Sequence, residues 1–192
     1  MIPSYLADLN LPAVFAAYTN TPCNFLQEST KNEHIVDSAS KGVSGFVSAS
    51  FGQAEDLAKK YFAVENPTDR PYTLLQIDNG LIQTPATKKC DCAVANDTHI
   101  CFIEFKANAT SNSISGVRRN YRKAIEQLET TIGLFNAHYA TKGTNLKKLR
   151  HVEAYICFRE GYPKTTSSQM NYKVRFLFQN GIPLSFARKK VL

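Results

Sequence analysis

An acidic residue and a Glu-x-Lys triplet lie close together near the middle of the chain. Twelve residues separate Asp91 from Glu104, and Lys106 follows two positions later. Carboxylate oxygens are hard ligands that suit Mg²⁺ or Mn²⁺. A metal held there can lower the pKa of a bound water, and a neighbouring lysine can orient that water and offset developing negative charge. These three residue types are therefore those that metal-assisted hydrolysis of a phosphodiester needs.

The elements around these residues predict that all three side chains share one face of a sheet. Residues 90–95 and 100–106 are rich in β-forming side chains and flank a four-residue loop. Antiparallel pairing across that loop places Asp91 directly opposite Glu104. Because side chains alternate along a strand, Lys106 then lies on the same face as Glu104.

This arrangement resembles the D-Xn-E-x-K signature of the PD-(D/E)XK, or restriction-endonuclease-like, nuclease superfamily. The order of elements over residues 46–160, a helix, a three-strand meander, a long helix and a strand, is also similar to the core of that superfamily. The resemblance implies a divalent-metal-dependent nuclease. It assigns Asp91, Glu104 and the carbonyl of Phe105 as ligands of Mg²⁺ or Mn²⁺, and Lys106 as the catalytic lysine.

The same resemblance brings two further residues to the site. In this superfamily an acid on the first core helix often completes the metal site, and Glu55 fits that position, with Asp56 and Glu33 as alternatives. On the long helix, Gln127 and the leucine after it resemble the Gln-Leu signature of RecB-like exonucleases, although the tyrosine expected downstream is absent. Glu55 is therefore expected to bind metal and Gln127 to belong to the catalytic site.

The order of elements predicts a single α/β (α+β) domain over residues 1–192. Residues 46–160 are expected to form a restriction-endonuclease-like core, in which a central mixed β-sheet with a three-strand antiparallel meander is flanked by helices. Residues 1–45 are expected to be an N-terminal helical elaboration, and residues 161–192 a C-terminal hairpin and a basic tail. The elements are not in the strict βαβ alternation of a doubly wound fold.

Hydrophobic periodicity predicts the individual elements. Apolar residues at helical spacing over residues 46–62 favour an amphipathic helix. The other expected elements are strands at 72–77, 90–95, 100–106 and 152–158, a tight turn at 78–80 with a return at 81–83, a helix at 117–139 capped by Ser113 or Ser115, and a hairpin of 172–178 with 182–186 around Asn180-Gly181.

Charge is distributed unevenly along the chain. Residues 1–106 carry 8 Lys+Arg and 12 Asp+Glu, whereas residues 107–192 carry 15 Lys+Arg and 4 Asp+Glu. A nuclease needs carboxylates for its metal and cations for phosphates, so nucleic acid is the expected partner, with DNA favoured over RNA. The expected contacts are Arg118, Arg119, Arg122 and Lys123 on the long helix and Arg188, Lys189 and Lys190 at the basic end.

Two other functions are compatible with the same residues. One is a catalytically inactive PD-(D/E)XK fold that binds nucleic acid or a protein. The other is an RNA endonuclease of the cap-snatching type, which would need His34 as a metal ligand. Because many relatives in the superfamily act as dimers, a homodimer is also compatible with the sequence.

The composition and the first residues of the chain favour a cytoplasmic location for the protein. No apolar stretch is long enough to span a membrane, and the first residues lack the basic region of a signal peptide. Five cysteines without framework spacing favour a reducing cytoplasm. Cys90, which stands where the superfamily often has proline, is expected with Cys92 and Cys101 on the face away from Asp91, as packing residues and not metal ligands.

Overall fold

The computed structural model describes residues 2–19, 24–38, 42–47, 60–111, 113–162 and 166–192. The strands among them are β1 (Leu26–Ser29), β2 (Glu33–Ser38), β3 (Val43–Phe46), β4 (Tyr61–Glu65), β5 (Tyr72–Gln76), β6 (Cys92–Ala95), β7 (His99–Lys106), β8 (His151–Phe158), β9 (Leu184–Ser185) and β10 (Lys189–Val191). The helices are a 3₁₀ helix (Ser4–Leu9), α1 (Leu11–Phe15), α2 (Ile114–Ala140), α3 (Leu146–Leu149) and α4 (Thr166–Asn180).

The described strands form two mixed sheets. The larger has the order β1-β5-β6-β7-β8-β9, and the smaller has the order β10-β4-β2-β3. One hydrophobic cluster lies between the helices and the larger sheet, and a second lies between the two sheets. The mixed class predicted from the sequence is therefore confirmed, whereas the single central sheet was an incomplete description.

The predicted three-strand meander is present. β5 pairs with β6 and β6 pairs with β7, both antiparallel. In the second pair, Ala95 lies opposite Ile100, as expected from the four-residue loop. Extending this register by four positions along each strand brings Asp91 to the level of Glu104.

The long helix α2 connects β7 to its parallel neighbour β8, as a parallel pair requires a crossover. Ser113 caps the helix, because its side chain accepts a hydrogen bond from the Gly116 N–H at 3.1 Å. The buried stripe of α2 includes Val117, Tyr121 and Leu128, at helical spacing. The prediction of this helix and its cap is confirmed. Among the described helices, none combines the length and the apolar composition that crossing a membrane requires.

The N-terminal part of the chain differs from the prediction. Residues 1–45 were predicted to be helical. They contain the 3₁₀ helix and α1 as expected, but they also contain β1, β2 and most of β3, which were not expected. The predicted helix over 46–62 is wrong at both ends, where Phe46 belongs to β3 and Phe62 to β4. Ile35 of β2 pairs with both phenylalanines, so distant partners override the local helical pattern. Residues 48–59 lie outside the described residues.

The predicted C-terminal hairpin is also wrong. Residues 166–180 form α4, although its aromatic and β-branched content favoured strands. The Asn180-Gly181 pair is a strong hairpin signal, but Gly181 has φ of +63° and follows directly after the last helical residue. A left-handed glycine at this position is also a common helix terminator, so the dipeptide alone did not distinguish the two.

The turn after β5 is present, but its expected return strand is not. The Leu81 N–H bonds to the Gln76 carbonyl, which continues the turn, and β1 instead occupies the free edge of β5. A Cβ at Gly80 would lie 2.2 Å from the Gln76 carbonyl oxygen, so the turn requires glycine.

Candidate functional site

The centre of the candidate site is a glutamate and a lysine near the end of β7. Glu104 is only 1% exposed, and its Oε1 forms an ion pair with Lys106 Nζ. Lys106 Nζ also donates to Gln127 Oε1 of α2 at 2.8 Å. Gln127 is itself held, since its Nε2 donates to the Lys89 carbonyl at 2.9 Å. The structure thus brings three of the predicted catalytic residues together.

Asp91, the residue just before β6, lies beside Glu104 and Lys106. Its Oδ2 accepts a hydrogen bond from the Phe105 N–H at 2.5 Å, across the predicted register. Burial and the negative charge of Asp37 raise the pKa of Asp91 to about 7, against the opposing effects of the Phe105 N–H and Lys106. A carboxyl group with this pKa changes its charge near neutral pH.

The second oxygen of Glu104 is the most unusual atom of the site. Oε2 is buried and has no hydrogen-bond partner among the described residues. Burial, followed by the charge of Asp91, raises the pKa of Glu104 well above its usual range, although Lys106 opposes this. An unpartnered buried carboxylate is costly. A cation between Asp91 and Glu104 would remove both the desolvation cost and the repulsion, so this donor set fits Mg²⁺ or Mn²⁺.

Asp37 is the acid that sequence reasoning missed. It lies near the end of β2, in the smaller sheet, and lines a cavity together with Lys106. Partial burial and the charge of Asp78 raise the pKa of Asp37, while Lys106 lowers it. The sequence predicted a helical elaboration over residues 1–45, so the strand β2 was not expected there. Even a correct prediction of β2 would have placed Asp37 only near the end of a strand. The local sequence does not indicate that this strand end lies beside Lys106.

Two acids face each other here, and a third acts on them through charge. In the part of the chain that the structure describes, no group of three or more His, Cys, Asp or Glu side chains is arranged to hold a metal ion. Glu55, the predicted third ligand, lies outside the described residues. The Phe105 carbonyl remains a predicted ligand.

Two clefts flank the site. One has a volume of about 470 Å³ and the other about 550 Å³. The first is lined by Val36, Asp37, Lys60, Phe105, Lys106, Ala107, Asn108, Ala109, Asn120 and Lys123. The second includes Asp78, Lys88, Lys89 and Gln127, and Lys123 again lines it. Lys123 therefore stands between two open spaces that both border the Lys106–Gln127 pair.

The basic residues of α2 and those of the chain end are placed differently. Arg118, Arg119 and Arg122 are exposed on the first turns of α2, whose first turn contains no acidic residue. By contrast, the basic end is paired with acids, through Lys189–Glu65 at 3.0 Å, Lys190–Glu153 at 2.9 Å and Arg188–Glu160 at 3.9 Å. Phosphate contact by either group stays a prediction, and the two differ in that acids partly offset the charges of residues 188–190.

The histidine and the cysteines named in the sequence predictions also have defined positions in the structure. His34 is exposed on β2, with its ring centroid 4.4 Å from that of Tyr61, and its odd spacing from Asp37 puts the two on opposite faces of the strand. Cys92 and Cys101 pack between the two sheets, as expected. Cys90 instead packs in the cluster on the helix side, because the chain before β6 leaves the regular alternation of the strand.

No family model, curated protein or solved structure matches this chain. A fold would not by itself specify an activity, since one fold supports many chemistries. The function must therefore be argued from the side chains around Glu104 and Lys106.

Proposed function

We propose that this protein is a divalent-metal-dependent nuclease that hydrolyses phosphodiester bonds, with a core of the restriction-endonuclease type. The observation that carries the proposal is the buried Glu104 carboxylate, which faces Asp91 and has one oxygen without a hydrogen-bond partner among the described residues. A lysine contacts its other oxygen. This combination is costly for a structural ion pair and suits a cation site beside a phosphate.

Asp91 and Glu104 are the residues that would hold Mg²⁺ or Mn²⁺. Two carboxylates are enough, because Mg²⁺ keeps several waters and is commonly bound through one or two carboxylates together with substrate phosphates. When bound, the metal would activate a water and stabilise charge on the phosphate. Asp37 would act through its charge, which is one of the influences that raise the pKa of Asp91.

Lys106 provides a positive charge at the place where negative charge develops on the phosphate. Its ammonium group is held by two partners, Glu104 and Gln127. Gln127 is a positioning residue, because its Nε2 donates to the Lys89 carbonyl while its Oε1 accepts from Lys106 and so orients the ammonium group. A lysine fixed in advance stabilises the transition state without reorganising during the reaction.

The charges around the site support an anionic polymer as substrate. Lys60, Lys106 and Lys123 line the first cleft. In the second cleft, Lys88 and Lys89 are paired with Glu126 and Asp78, so the first cleft carries most of the positive charge. Arg118, Arg119 and Arg122 are exposed elsewhere on α2. Such a surface attracts a phosphate backbone irrespective of base sequence. DNA remains the favoured polymer in this proposal, because the RNA alternative needs His34, which faces away from Asp37 on β2.

The proposal is tested by cleavage of labelled single-stranded DNA, double-stranded DNA and RNA in Mg²⁺, Mn²⁺ or EDTA. Wild type is run beside Glu104→Gln, which keeps the shape but removes the charge. The matched control is Glu65→Gln, since Glu65 also pairs with a lysine but lies in the smaller sheet. We expect metal-dependent cleavage that is lost by a factor of about a hundred or more in Glu104→Gln and retained in Glu65→Gln.

Each outcome separates the competing functions. Cleavage of RNA alone would favour the RNA endonuclease. Nucleic-acid binding without cleavage in any metal would instead favour a binding module that has lost catalysis. Cleavage that persists in Glu104→Gln at the wild-type rate would exclude this site as the catalytic centre.

A further inference from the structure

A small aromatic cavity lies one strand away from Lys106. It has a volume of about 110 Å³ and is lined by four aromatic residues, Tyr121, Phe158, Tyr162 and Phe186, and by polar side chains that include Arg159 and Gln169. Phe158 is the direct partner of Lys106 in the parallel pairing of β7 with β8. Neighbouring strands are about 4.8 Å apart, so one wall of the cavity lies on the strand next to the proposed catalytic lysine.

The walls of this cavity are flat rings. Phe158 and Tyr162 stack with their centroids 4.7 Å apart and their planes at 2°. Tyr121 lies 4.8 Å from Phe158, and Phe186 meets Tyr121 edge to face at 5.3 Å. Because Phe158 and Tyr162 cover each other's inner faces, and Tyr121 stacks on Tyr172, a ligand in the cavity would meet ring edges or the outer face of a stack. Such a lining favours a flat molecule with apolar faces.

Two polar groups can read the edge of such a ligand. Gln169 Nε2 donates to the Tyr121 hydroxyl at 2.9 Å, and a glutamine amide has a second N–H and a carbonyl oxygen besides. Arg159, which follows β8, is also in the wall. Glu160 and Arg188 lie in the wall too, and they form an ion pair with each other at 3.9 Å.

One hydrogen bond connects this cavity to the catalytic cleft. Asn120 Nδ2 donates to the Tyr162 hydroxyl at 2.7 Å, and Asn120 also lines the cleft that contains Lys106 and Lys123. The cleft is cationic and the small cavity is aromatic, and the two share this wall. A nucleotide has the same division, since its phosphate is anionic and its base is planar and apolar on its faces.

We propose that the aromatic cavity binds one unpaired nucleobase of the strand whose backbone crosses the Lys106 cleft. The identity of the ligand rests on the proposed nuclease function. Unpaired bases are commonly bound by stacking on aromatic rings and by hydrogen bonds to their edges. Because a base inside a duplex cannot enter, the substrate must be single-stranded, or unpaired at that nucleotide, and one position beside the cut should have a base preference.

The test measures binding without cleavage. Single-stranded DNA octamers with 2-aminopurine at each position in turn are titrated with the full-length protein in EDTA. The chain has no tryptophan, so the probe fluorescence is read without interference. We expect strong quenching at one position in wild type, and loss of that quenching in Gln169→Ala and in Arg159→Ala. Gln179→Ala and Arg175→Ala are matched controls on α4, and they should behave as wild type.

A second octamer, which lacks the base at the quenched position, allows a double-mutant cycle between the protein variant and the missing base. We expect each cavity variant to weaken binding of the intact octamer about tenfold and binding of the abasic octamer less than about twofold. Equal quenching at all positions, or equal loss on both octamers, would overturn the base pocket. Because EDTA removes the metal, these results are independent of catalysis: position-specific quenching with no cleavage in any metal would overturn the nuclease and leave the base pocket intact.

Discussion

Two glutamate–lysine pairs lie on opposite faces of the six-stranded sheet. Glu104 and Lys106 face α2, whereas Glu153 of β8 faces the smaller sheet and receives Lys190 from β10. In the second pair both carboxylate oxygens have donors, Lys190 Nζ at 2.9 Å and the Tyr155 hydroxyl at 2.5 Å. In the first pair, only one oxygen of Glu104 has a partner among the described residues.

The pKa values follow this difference. Burial would raise the pKa of Glu153, but the hydrogen bonds from Tyr155 and Lys190 outweigh it and lower the pKa below its usual value. For Glu104, burial and the nearby Asp91 dominate, and the pKa rises well above its usual value despite the lysine. A lysine partner therefore does not by itself make a buried glutamate structural. The depth of burial, the number of oxygens that have donors and the presence of a second acid together decide the sign.

The largest expected difference between the pairs is in catalysis. Lys106→Met should lower the cleavage rate by a factor of about a hundred to a thousand, because it removes the charge beside the phosphate. Lys190→Met removes a lysine of the same kind from the other face and should change the rate by less than about threefold. Single-turnover cleavage at saturating enzyme measures both. Equal losses in the two variants would remove the functional distinction between the pairs.

The second difference is in how a metal affects stability. Asp91 and Glu104 have folded pKa values above their unfolded values, so the free energy of unfolding of the metal-free protein should fall as the pH rises from about 4 towards 7 and beyond. Mn²⁺ binds the deprotonated carboxylates, so the gain in Tm from Mn²⁺ should grow from nearly zero at about pH 5.5 to several degrees at about pH 8.

Differential scanning fluorimetry at both pH values checks this prediction. Glu104→Gln should lose the gain and Glu153→Gln should keep it. A gain that is the same at both pH values, or that survives in Glu104→Gln, would mean that Mn²⁺ binds elsewhere.

The third difference concerns the cations around each pair. Replacing both Arg118 and Arg122 of α2 by glutamine should weaken DNA binding about tenfold and reduce its salt dependence, since both are exposed cations. Replacing both Lys189 and Lys190 by glutamine should weaken DNA binding by less than about twofold, because Glu65 and Glu153 already pair with these two lysines. Fluorescence anisotropy in EDTA over a range of salt concentrations measures the two slopes. A larger loss of DNA affinity in the Lys189 and Lys190 variant would show that the basic end contributes to DNA binding.

The smallest expected difference is in stability alone. Glu153→Gln should lower the free energy of unfolding by about 1 kcal/mol at neutral pH, because the charge-assisted bonds to Lys190 and Tyr155 weaken. The lowered pKa means that this stabilisation is present above the unfolded pKa and is lost as the pH falls through the folded pKa. Glu104→Gln should be neutral or stabilising in the metal-free protein, since it removes an unfavourable buried charge. Urea titrations would contradict the comparison if Glu104→Gln proved the more destabilising.

Much of the site could be predicted from local sequence. The four-residue loop between β6 and β7 determines the antiparallel register, and the register brings Asp91 to the level of Glu104. The two-residue repeat of the strand then places Lys106 on the same face. Helical periodicity and the cap at Ser113 likewise determined α2, and with it the turn on which Gln127 lies. Each of these relations spans few residues, so neighbouring side chains and one tight connection are enough to specify it.

The tertiary structure decided what depends on distant partners. Asp37 approaches the site because β2 pairs with β3 and β4, and no local pattern in the sequence reveals that pairing. Residues 166–180 became a helix because Phe176 packs into the core on one side and Gly181 ends the helix on the other. The pairing of β10 with β4 brings Lys189 and Lys190 to Glu65 and Glu153, although Lys189 stays exposed. Sequence alone determined the chemistry of the site through short-range geometry, whereas long-range strand pairing decided which charges surround it.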